Sequence, residues 1–592
     1  MRNFGCALFP VILYHFYKSS TSMHRLLSIL IIAMLAQVSA LAQTRSEQEL
    51  KEIARQQLQS LYQNNGSRRA AQIDNDAIGI MKQTDTYTIM GSEQLGFVVI
   101  SNDQAQRPVL AYSDQQLNVQ DIPCGMQWWL NAVSEVLARH DAASAALSRS
   151  SRRAGNTRVE PFLKSKWNQS DPFNLKCPAI NNSKTPTGCV ATALAQVLYF
   201  YQYPAQSKGT GYYTVGSSSN QTYVELNTTY DWTLFQDTYF SSIFLSAAKK
   251  EAISQLMADC GAAVHMHYNS SGSGAVLSRA GTALGANFQC DSLAVQALQR
   301  DFYDRDEWLQ LIRTELEAGR PVIYGGQDPN SGGHAFVLHG IDEDNRVYVN
   351  WGWGGNGDCW TDIDILQPEN DTDSYSEGQD MVIGLKTTPI PDPAETYRSF
   401  WGMDTAEDIS LSLAKTLLVS EFKAFNYSHL TFYGVLGLYF RRISDGEEVF
   451  IPYIVTGEDV DPVESGYGYT FPAHSFSTSD MAYFEPGTYQ VYLASQAVQE
   501  TSPRPLLHAR DRAGSKVDGK VNVYTITIDA DHKASIDSKE ELKDVPTAID
   551  AIEAPAEPAA IRYYDLQGRE VDASHRGLTI VRQGGSVKKV VR

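Results

Sequence analysis

One cysteine at the start of an apolar helical pattern constrains the fold of this chain more than any other feature. In the segment TPTGCVATALAQVLYFYQYP, apolar residues recur at helical spacing after Cys189, until Pro204 prevents the helix from continuing. Thr187 is the expected N-cap. Unpaired N–H groups and the positive end of the helix dipole favour the thiolate of a cysteine in the first turn. The segment therefore predicts a reactive thiol, whereas an isolated cysteine is more often a buried apolar residue.

A second segment, SGGHAFVLHGIDEDNRVYVNWGWGGNGDCW, contains the partners that a cysteine nucleophile needs. It predicts a β-hairpin with its turn at residues 342–345, which places His334 within about three residues of direct opposition to Asn350. An imidazole takes the thiol proton and later gives it to the leaving amine, while an amide carbonyl holds the ring in one tautomer. Trp351 is expected to shield that hydrogen bond from water.

The oxyanion of the tetrahedral intermediate needs preorganised hydrogen-bond donors. Gln169, in the segment KWNQSDPFN upstream of the helix, is the candidate side-chain donor, together with the backbone N–H of Cys189. A loop glutamine is otherwise most often a solvated surface residue. The prediction therefore depends on Gln169 occurring together with the cysteine and the histidine.

Five motifs make the chain resemble the streptopain-type cysteine peptidases, which are similar to papain in fold and chemistry. In the family's order, over about residues 158–388, they are KWNQSDPFN, TGCVATALAQVLYFYQYP, GAAVHMHYNSSGSGA, GGHAFVLHGID and VYVNWGWGG. The resemblance implies that Cys189 is the nucleophile, His334 the general base and acid, and Gln169 the oxyanion donor. It implies that Asn350 and Trp351 support the histidine. It also implies protein substrates with an apolar residue at the second position before the scissile bond.

The resemblance further implies a substrate cleft bordered by a Gly/Ser loop and by the residue before the histidine. The residues are Ser271, Gly272, Ser273 and Gly333. A Gly/Ser loop is more often only a flexible connector.

The chain has 592 residues, which predicts several domains because a single core does not grow to that size. The expected fold class is multidomain α+β: a papain-like cysteine peptidase domain, preceded by an α+β prodomain and followed by a β-sandwich of immunoglobulin type. The expected units are a signal peptide at 1–42, an inhibitory prodomain at 43–157, the peptidase domain at 158–388, the sandwich at 395–530, a linker at 531–559 and a C-terminal sorting tail at 560–592.

The N-terminal segment predicts export. A basic stretch ending at Arg25 precedes the apolar run LLSILIIAMLAQVSALA and a small-residue cleavage pattern before Gln43, and Met23 is an alternative start. We expect a secreted or cell-surface protein whose mature form has no membrane span. The prodomain is expected to inhibit the enzyme within the same chain until the polar, basic segment SRSSRRAGNTR is cut.

The C-terminal segment 560–592 is similar to the sorting tails of exported Bacteroidetes-type proteins, which implies contact with a secretion machinery. The alternative is a β-hairpin that caps the sandwich. The sandwich itself is expected to be a spacer or to bind a surface, since its fold alone implies no function.

The composition and the absence of certain motifs argue against several classes of partner and cofactor. A formal net charge of −19 disfavours nucleic acid and anionic membranes as partners. The HExxH zinc signature, paired CxxC motifs and the phosphate-binding glycine loop do not occur in the sequence, so we predict neither a metal nor a cofactor. The spacing of the seven cysteines does not define a disulfide pattern.

The predicted function is a secreted cysteine endopeptidase, made as a zymogen, that hydrolyses peptide bonds through a thioester acyl-enzyme. Two alternatives remain open. A catalytically inactive papain-like protein would bind or adhere to a surface. A transglutaminase-like acyl transferase would use the same Cys/His chemistry but accept an amine instead of water.

Overall fold

The computed structural model describes most of residues 44–542 and four strands between 561 and 591. The described ranges are 44–64, 73–138, 157–385 and 401–542, without residues 241, 292–293, 301–302, 304, 329–331, 364–378, 404–408, 427–430, 456–461, 465–466, 499, 501 and 509–520. The predicted signal peptide and most of the segment SRSSRRAGNTR lie outside the described residues.

The N-terminal region combines two helices with four antiparallel strands. They are α1 (Glu47–Asn64), β1 (Gly79–Gln83), β2 (Tyr87–Ser92), β3 (Gly96–Ser101), β4 (Val109–Ser113) and α2 (Cys124–Ala138). Ser46 and Glu49 form a capping box at the start of α1: the Ser46 N–H donates to the Glu49 carboxylate, and the Glu49 N–H donates to Ser46 Oγ. This combination of helices and strands agrees with the α+β prodomain that the sequence predicts.

The central region combines helices with short strands and ends with consecutive strands. Its elements are β5 (Ala179–Ile180), β6 (Ser183–Lys184), α3 (Cys189–Tyr201), β7 (Thr210–Val215), β8 (Thr222–Glu225), α4 (Ala247–Ala263), β9 (His267–Tyr268), α5 (Ser278–Ala286), β10 (Gln296–Gln299), α6 (Arg305–Glu317), β11 (Val322–Asp328), β12 (Gly332–Ile341), β13 (Val347–Asn350), β14 (Cys359–Thr361) and β15 (Asp380–Ile383). One apolar core surrounds α3, and a second lies between the strands and helices α2 and α6.

The two regions share one ten-stranded sheet. Its strand order is β1-β2-β3-β4-β14-β13-β12-β11-β15-β10. The joint is antiparallel, with Trp360 of β14 opposite Tyr112 of β4 and Thr361 opposite Ala111. The N-terminal strands therefore extend the sheet that carries the predicted histidine, a continuity that the sequence analysis did not anticipate.

The following region contains three sheets around a large apolar core, with a second, smaller apolar cluster beside it. Its elements are β16 (Trp401–Met403), β17 (Ile409–Leu411), β18 (Leu417–Val419), β19 (Phe422–Asn426), β20 (Gly434–Arg442), β21 (Glu448–Val455), β22 (Gly468–Phe471), β23 (His474–Ser475), α7 (Thr478–Met481), β24 (Gly487–Ala497), β25 (Arg504–Pro505), β26 (Leu507–His508), β27 (Val521–Ile528) and β28 (Ala534–Leu542). The packing of sheets on a common core is that of a β-sandwich.

The expected linker at 531–559 was wrong over its first part. Strand β28 occupies Ala534–Leu542 and pairs along its length with β27, so the sandwich continues beyond residue 530. Strand β28 lies at the edge of its sheet, and its charged residues are all exposed: Asp537, Lys539, Glu540 and Glu541. Charge composition alone therefore suggested a flexible chain where the structure has a strand.

The C-terminal segment forms a separate antiparallel sheet in the order β30-β29-β31-β32. Its strands are β29 (Ile561–Tyr564), β30 (Glu570–Val571), β31 (Leu578–Gln583) and β32 (Ser586–Val591). Strands were predicted in this segment. Across the described part of the whole chain, no helix is both long enough and apolar enough to cross a membrane.

Candidate active site

Helix α3 begins at Cys189, as the sequence predicted, but its N-cap is Gly188 and the prediction of Thr187 was wrong. Gly188 has φ 88°, and a Cβ at this position would lie 2.6 Å from the Met266 side chain. Only glycine fits such a backbone without strain. The Thr187 hydroxyl is instead hydrogen-bonded to the Thr192 hydroxyl at 2.8 Å.

The predicted hairpin is formed by β12 and β13. Val337 lies directly opposite Asn350, so His334 is three residues from direct opposition, as expected. Strand β12 also pairs with β11 and carries His334 to the opening of helix α3. Cys189, Gly333 and His334 line one cavity of about 400 Å³, located between the helical core and the sheet.

The surroundings of Cys189 shift the pKa of its thiol in the direction opposite to the predicted one. Backbone N–H groups of Ala335, Val190 and Cys189 itself lower the pKa, in the direction expected at a helix start. Burial is the larger cause and raises the pKa of the Cys189 thiol above its ordinary value. The prediction of a lowered thiol pKa was therefore wrong for the full chain, because burial outweighs the hydrogen bonds from the backbone N–H groups.

Gln169 lies on the loop that approaches the start of α3. Its backbone carbonyl accepts a hydrogen bond from the N–H of Thr187 at 3.0 Å, two residues before Cys189. Its own N–H donates to Asn168 Oδ1 at 2.6 Å. These two bonds fix the loop backbone beside the nucleophile.

Asn350 and Trp351 are both buried at the end of β13. The Trp351 N–H donates to Asp358 Oδ1 at 3.0 Å, and its indole N–H donates to the Gly357 carbonyl at 2.9 Å. The Asn350 amide is hydrogen-bonded to Gln196 of helix α3. Sequence reasoning missed Gln196; the only available signal was a polar residue within the apolar run ATALAQVLYF.

The predicted substrate loop lies next to the cavity. Ser271 and Gly272 are exposed, whereas Ser273 is buried and its hydroxyl donates to the Pro186 carbonyl at 2.7 Å. Of the four predicted cleft residues, Gly333 lines the cavity, and the loop contributes its following residues, beginning with Gly274. Asp380, a carboxylate in the same lining, was not predicted.

Helix α2 of the N-terminal region packs beside the site. A Cβ at Gly125 would lie 2.8 Å from the Trp351 ring, and a Cβ at Gly326, which lines the cavity, would lie 2.3 Å from the Trp128 ring. Cys124, at the start of the same helix, has its thiol pKa raised to about 11, mainly by burial and also by the nearby charge of Cys189.

The six cysteines in the described ranges are all free. Within the same ranges, no three His, Cys, Asp or Glu side chains are grouped as a metal site would require.

Two family models match the chain. The Peptidase C10 family model matches residues 167–360, which contain every predicted catalytic side chain. The Spi protease inhibitor model matches residues 42–137, which contain helix α1, strands β1 to β4 and all but the last residue of helix α2.

Similar proteins include two named proteases. Streptopain of Streptococcus pyogenes is 31% identical over 377 residues, which cover 58% of this chain and 92% of that protein. The thiol protease/hemagglutinin PrtT of Porphyromonas gingivalis is 28% identical over 420 residues, which cover 65% of this chain and 46% of that protein. Among solved structures, a fragment of Prevotella intermedia prointerpain A is 33% identical, covers 53% of this chain and 99% of its own, and superposes with a TM-score of 0.46.

Proposed function

We propose, because this chain belongs to the Peptidase C10 family of cysteine-type peptidases, that it is a secreted endopeptidase made as a zymogen. Its fold is multidomain α+β, with a papain-like peptidase domain, an inhibitor-like prodomain and a β-sandwich. The observation that carries the proposal is the cavity that Cys189 and His334 line together.

In the proposed reaction, His334 removes the thiol proton and Cys189 Sγ attacks the carbonyl carbon of the substrate peptide bond. The oxyanion accepts hydrogen bonds from the Gln169 side chain and the backbone N–H of Cys189. The C–N bond then breaks, the proton passes from His334 to the leaving amine, and a thioester remains. Water, deprotonated by His334, hydrolyses the thioester and restores the thiol. Asn350 orients His334, and Trp351 shields that contact.

The proposed substrates are proteins and peptides with an apolar residue second before the scissile bond. Support comes from the cavity lining, in which Val276, Leu277 and Met381 are apolar. Ser271, Gly272 and Ser273 border the entrance in this proposal, and Gly333 lies inside it.

The N-terminal region is proposed to inhibit the peptidase within the same chain. Helix α2 packs against Trp351 and Gly326, and β4 continues the sheet that carries His334. In the full chain, burial raises the thiol pKa of Cys189 above its ordinary value, which disfavours the reactive thiolate. Cleavage between about residues 148 and 158 would release the N-terminal region from the peptidase domain.

Export is proposed from the predicted signal at 1–42, and contact with a secretion machinery from the resemblance of residues 560–592 to sorting tails. Strands β29 to β32 support a folded tail at this position.

The test is cleavage of casein by the chain of residues 43–592, followed by mass spectrometry beside two variants. Cys189→Ala removes the proposed nucleophile, and Cys290→Ala is the matched control because its buried thiol does not line the cavity. We expect the parent and the control to trim themselves and digest casein, and Cys189→Ala to do neither.

If all three chains stay intact and inert, even after separate removal of residues 43–157, the protein is a binding protein instead. Products that carry an added amine in place of water would identify an acyl transferase.

A further inference from the structure

Gln196 lies on the same helix as Cys189, seven residues further on. Two turns of an α-helix bring residues at this spacing to nearly the same face, so Gln196 points toward the sheet side as Cys189 does. The side chain is fully buried at 0% exposure, and its partner Asn350 is 1% exposed. A buried amide without satisfied hydrogen bonds would destabilise the fold, so the bonds that Gln196 makes are informative.

Gln196 and Asn350 form a reciprocal amide pair. Gln196 Nε2 donates to Asn350 Oδ1 at 3.2 Å, and Asn350 Nδ2 donates back to Gln196 Oε1 at 3.0 Å. Asn350 Nδ2 also donates to the Ser165 carbonyl at 2.7 Å, and Asn350 Oδ1 accepts the N–H of Gly352 at 3.0 Å. Both amide hydrogens and the carbonyl oxygen of Asn350 are therefore engaged.

The orientation of the pair is fixed at both ends. Gln196 Oε1 accepts hydrogen bonds from Ser165 Oγ at 2.9 Å and from the Trp167 N–H at 3.4 Å, so this end of the glutamine must be the oxygen. With Gln196 held in this way, a flipped Asn350 would place N–H against N–H and oxygen against oxygen. The Asn350 carbonyl therefore has one stable direction.

The same glutamine connects the three segments of the proposed site. Helix α3 carries Cys189 and Gln196, strand β13 ends at Asn350, and the segment that contains Ser165 and Trp167 leads directly to Gln169. One buried side chain thus links the proposed nucleophile, the proposed support of the histidine and the proposed oxyanion donor.

We propose that Gln196 is a positioning residue for the peptidase reaction, which locks the Asn350 amide and thereby holds the end of strand β13 against the helix that carries Cys189. This inference rests on the proposed function. Gln196 does not line the cavity, so its contribution is to turnover and not to substrate binding.

The first test is a double-mutant cycle with the chain of residues 43–592 after maturation. We expect Gln196→Leu to lower kcat about tenfold, roughly the loss of one hydrogen bond, with KM unchanged. If Gln196 acts through Asn350, the same substitution in an Asn350→Ala background costs nothing further. Additive losses in the cycle would overturn the proposal.

The second test uses Gln196→Glu and the pH profile. When protonated, the introduced carboxyl both donates to and accepts from Asn350, so we expect kcat to approach that of the parent at acidic pH. Once ionised, it places an acceptor against Asn350 Oδ1, so kcat should fall through a transition that the parent lacks. An unchanged pH profile would contradict a positioning role.

The matched control is Asn287→Asp, which also puts an acid in place of a buried amide. Asn287 donates to the Lys208 carbonyl at 3.0 Å at the end of helix α5 and does not line the cavity. We expect it to lose stability and keep the parental pH profile. If the parent itself cleaves nothing, the proposed function fails separately. The positioning role is then decided by the pH dependence of Cys189 alkylation, which needs no turnover and must differ between Gln196→Glu and Asn287→Asp.

Discussion

The indole ring of Trp128, on helix α2, lies directly against the backbone of Gly326, on strand β11, where no Cβ could be accommodated. Trp128 is 1% exposed, and Gly326 lines the cavity that contains Cys189 and His334. The N-terminal region therefore contacts the backbone of a residue that lines the cleft.

Replacing Trp128 should weaken the packing of helix α2 against the peptidase region. Truncation of a buried tryptophan to alanine costs about 3–5 kcal/mol, and the lost contacts here include those with the cleft wall. We expect Trp128→Ala to trim itself several-fold faster than the parent, measured from the first minutes by mass spectrometry. Leu58→Ala is the control because Leu58 is buried on helix α1, away from the cavity. Equal trimming rates in the two variants would show that the Trp128 contact does not specifically inhibit the enzyme.

A second contact between the two regions is ionic. Arg107 Nη1 lies 2.7 Å from Asp362 Oδ2, and both side chains are largely buried. Removing one partner of a buried pair costs up to about 3–5 kcal/mol, and the cost here should be smaller because Arg346 also interacts with Asp362. We expect Arg107→Ala to speed release of the cleaved N-terminal region, followed by size-exclusion chromatography.

The matched control for this pair is Arg55→Ala. Arg55 pairs with Glu52 on its own helix at the surface, and such pairs contribute little. Release at the parental rate in Arg55→Ala, with faster release in Arg107→Ala, is the expected pattern. Similar rates in both would show that the Arg107 pair does not hold the regions together.

Gly188 should tolerate no side chain. Alanine would combine a φ of 88° with a contact of 2.6 Å to Met266, immediately before the proposed nucleophile. We expect Gly188→Ala to lose self-trimming at least tenfold, since a misplaced nucleophile costs about two orders of magnitude in rate. Gly319→Ala is the control for backbone conformation, with φ 69° but open space around it. Comparable trimming by the two variants would refute the close fit.

Asp358 gives a prediction about pH. Burial raises its carboxyl pKa from the ordinary value of 3.8 to about 7, against the hydrogen bond from the Trp351 N–H. The folded chain then keeps a proton that the unfolded chain has released between these two pH values, so stability falls as pH rises through the window. Asp358→Asn keeps an acceptor for Trp351 and carries no charge. The free energy of unfolding of Asp358→Asn, relative to that of the parent, should increase from pH 4 to 7. Above pH 7 the difference should be about 2 kcal/mol or more, since one pKa unit is about 1.4 kcal/mol.

The measurement is urea unfolding of both chains in a Cys189→Ala background, compared as a difference at each pH. Taking the difference cancels the contribution of His339, which is the same in both chains. Burial lowers the pKa of His339 to about 3, so its contribution makes stability rise with pH up to the ordinary histidine range. Asp445→Asn is the control, because a hydrogen bond from Arg442 lowers the pKa of that exposed carboxyl. It should never be more stable than the parent.

Local sequence patterns predicted the elements that carry the candidate residues. The helix begins at Cys189 because apolar spacing marks its buried face, and the hairpin register near Val337 and Asn350 follows from a short turn. Both are set by residues close together along the chain.

Contacts between distant segments were not predictable in the same way. Gln196 meets a partner 154 residues away, and Tyr112 pairs with Trp360 across two regions that the sequence divides. The thiol pKa of Cys189 was predicted in the wrong direction because burial outweighs the backbone N–H groups of the helix start, and burial is not set by the local sequence pattern. Strand β28 was missed because its exposed charged residues dominate the composition.

The shared sheet has a consequence for the mature protein. Strand β14 has a neighbour on each side, β13 and β4, and its three residues are buried. If residues 43–157 are removed, β14 becomes an edge strand whose free N–H and C=O groups offer a template to any extended chain. Because the strand runs only from Cys359 to Thr361, the template is short, which limits self-association. Removal of residues 43–157 would thus expose the unpaired edge of β14 at the same time as it frees the peptidase region from helix α2.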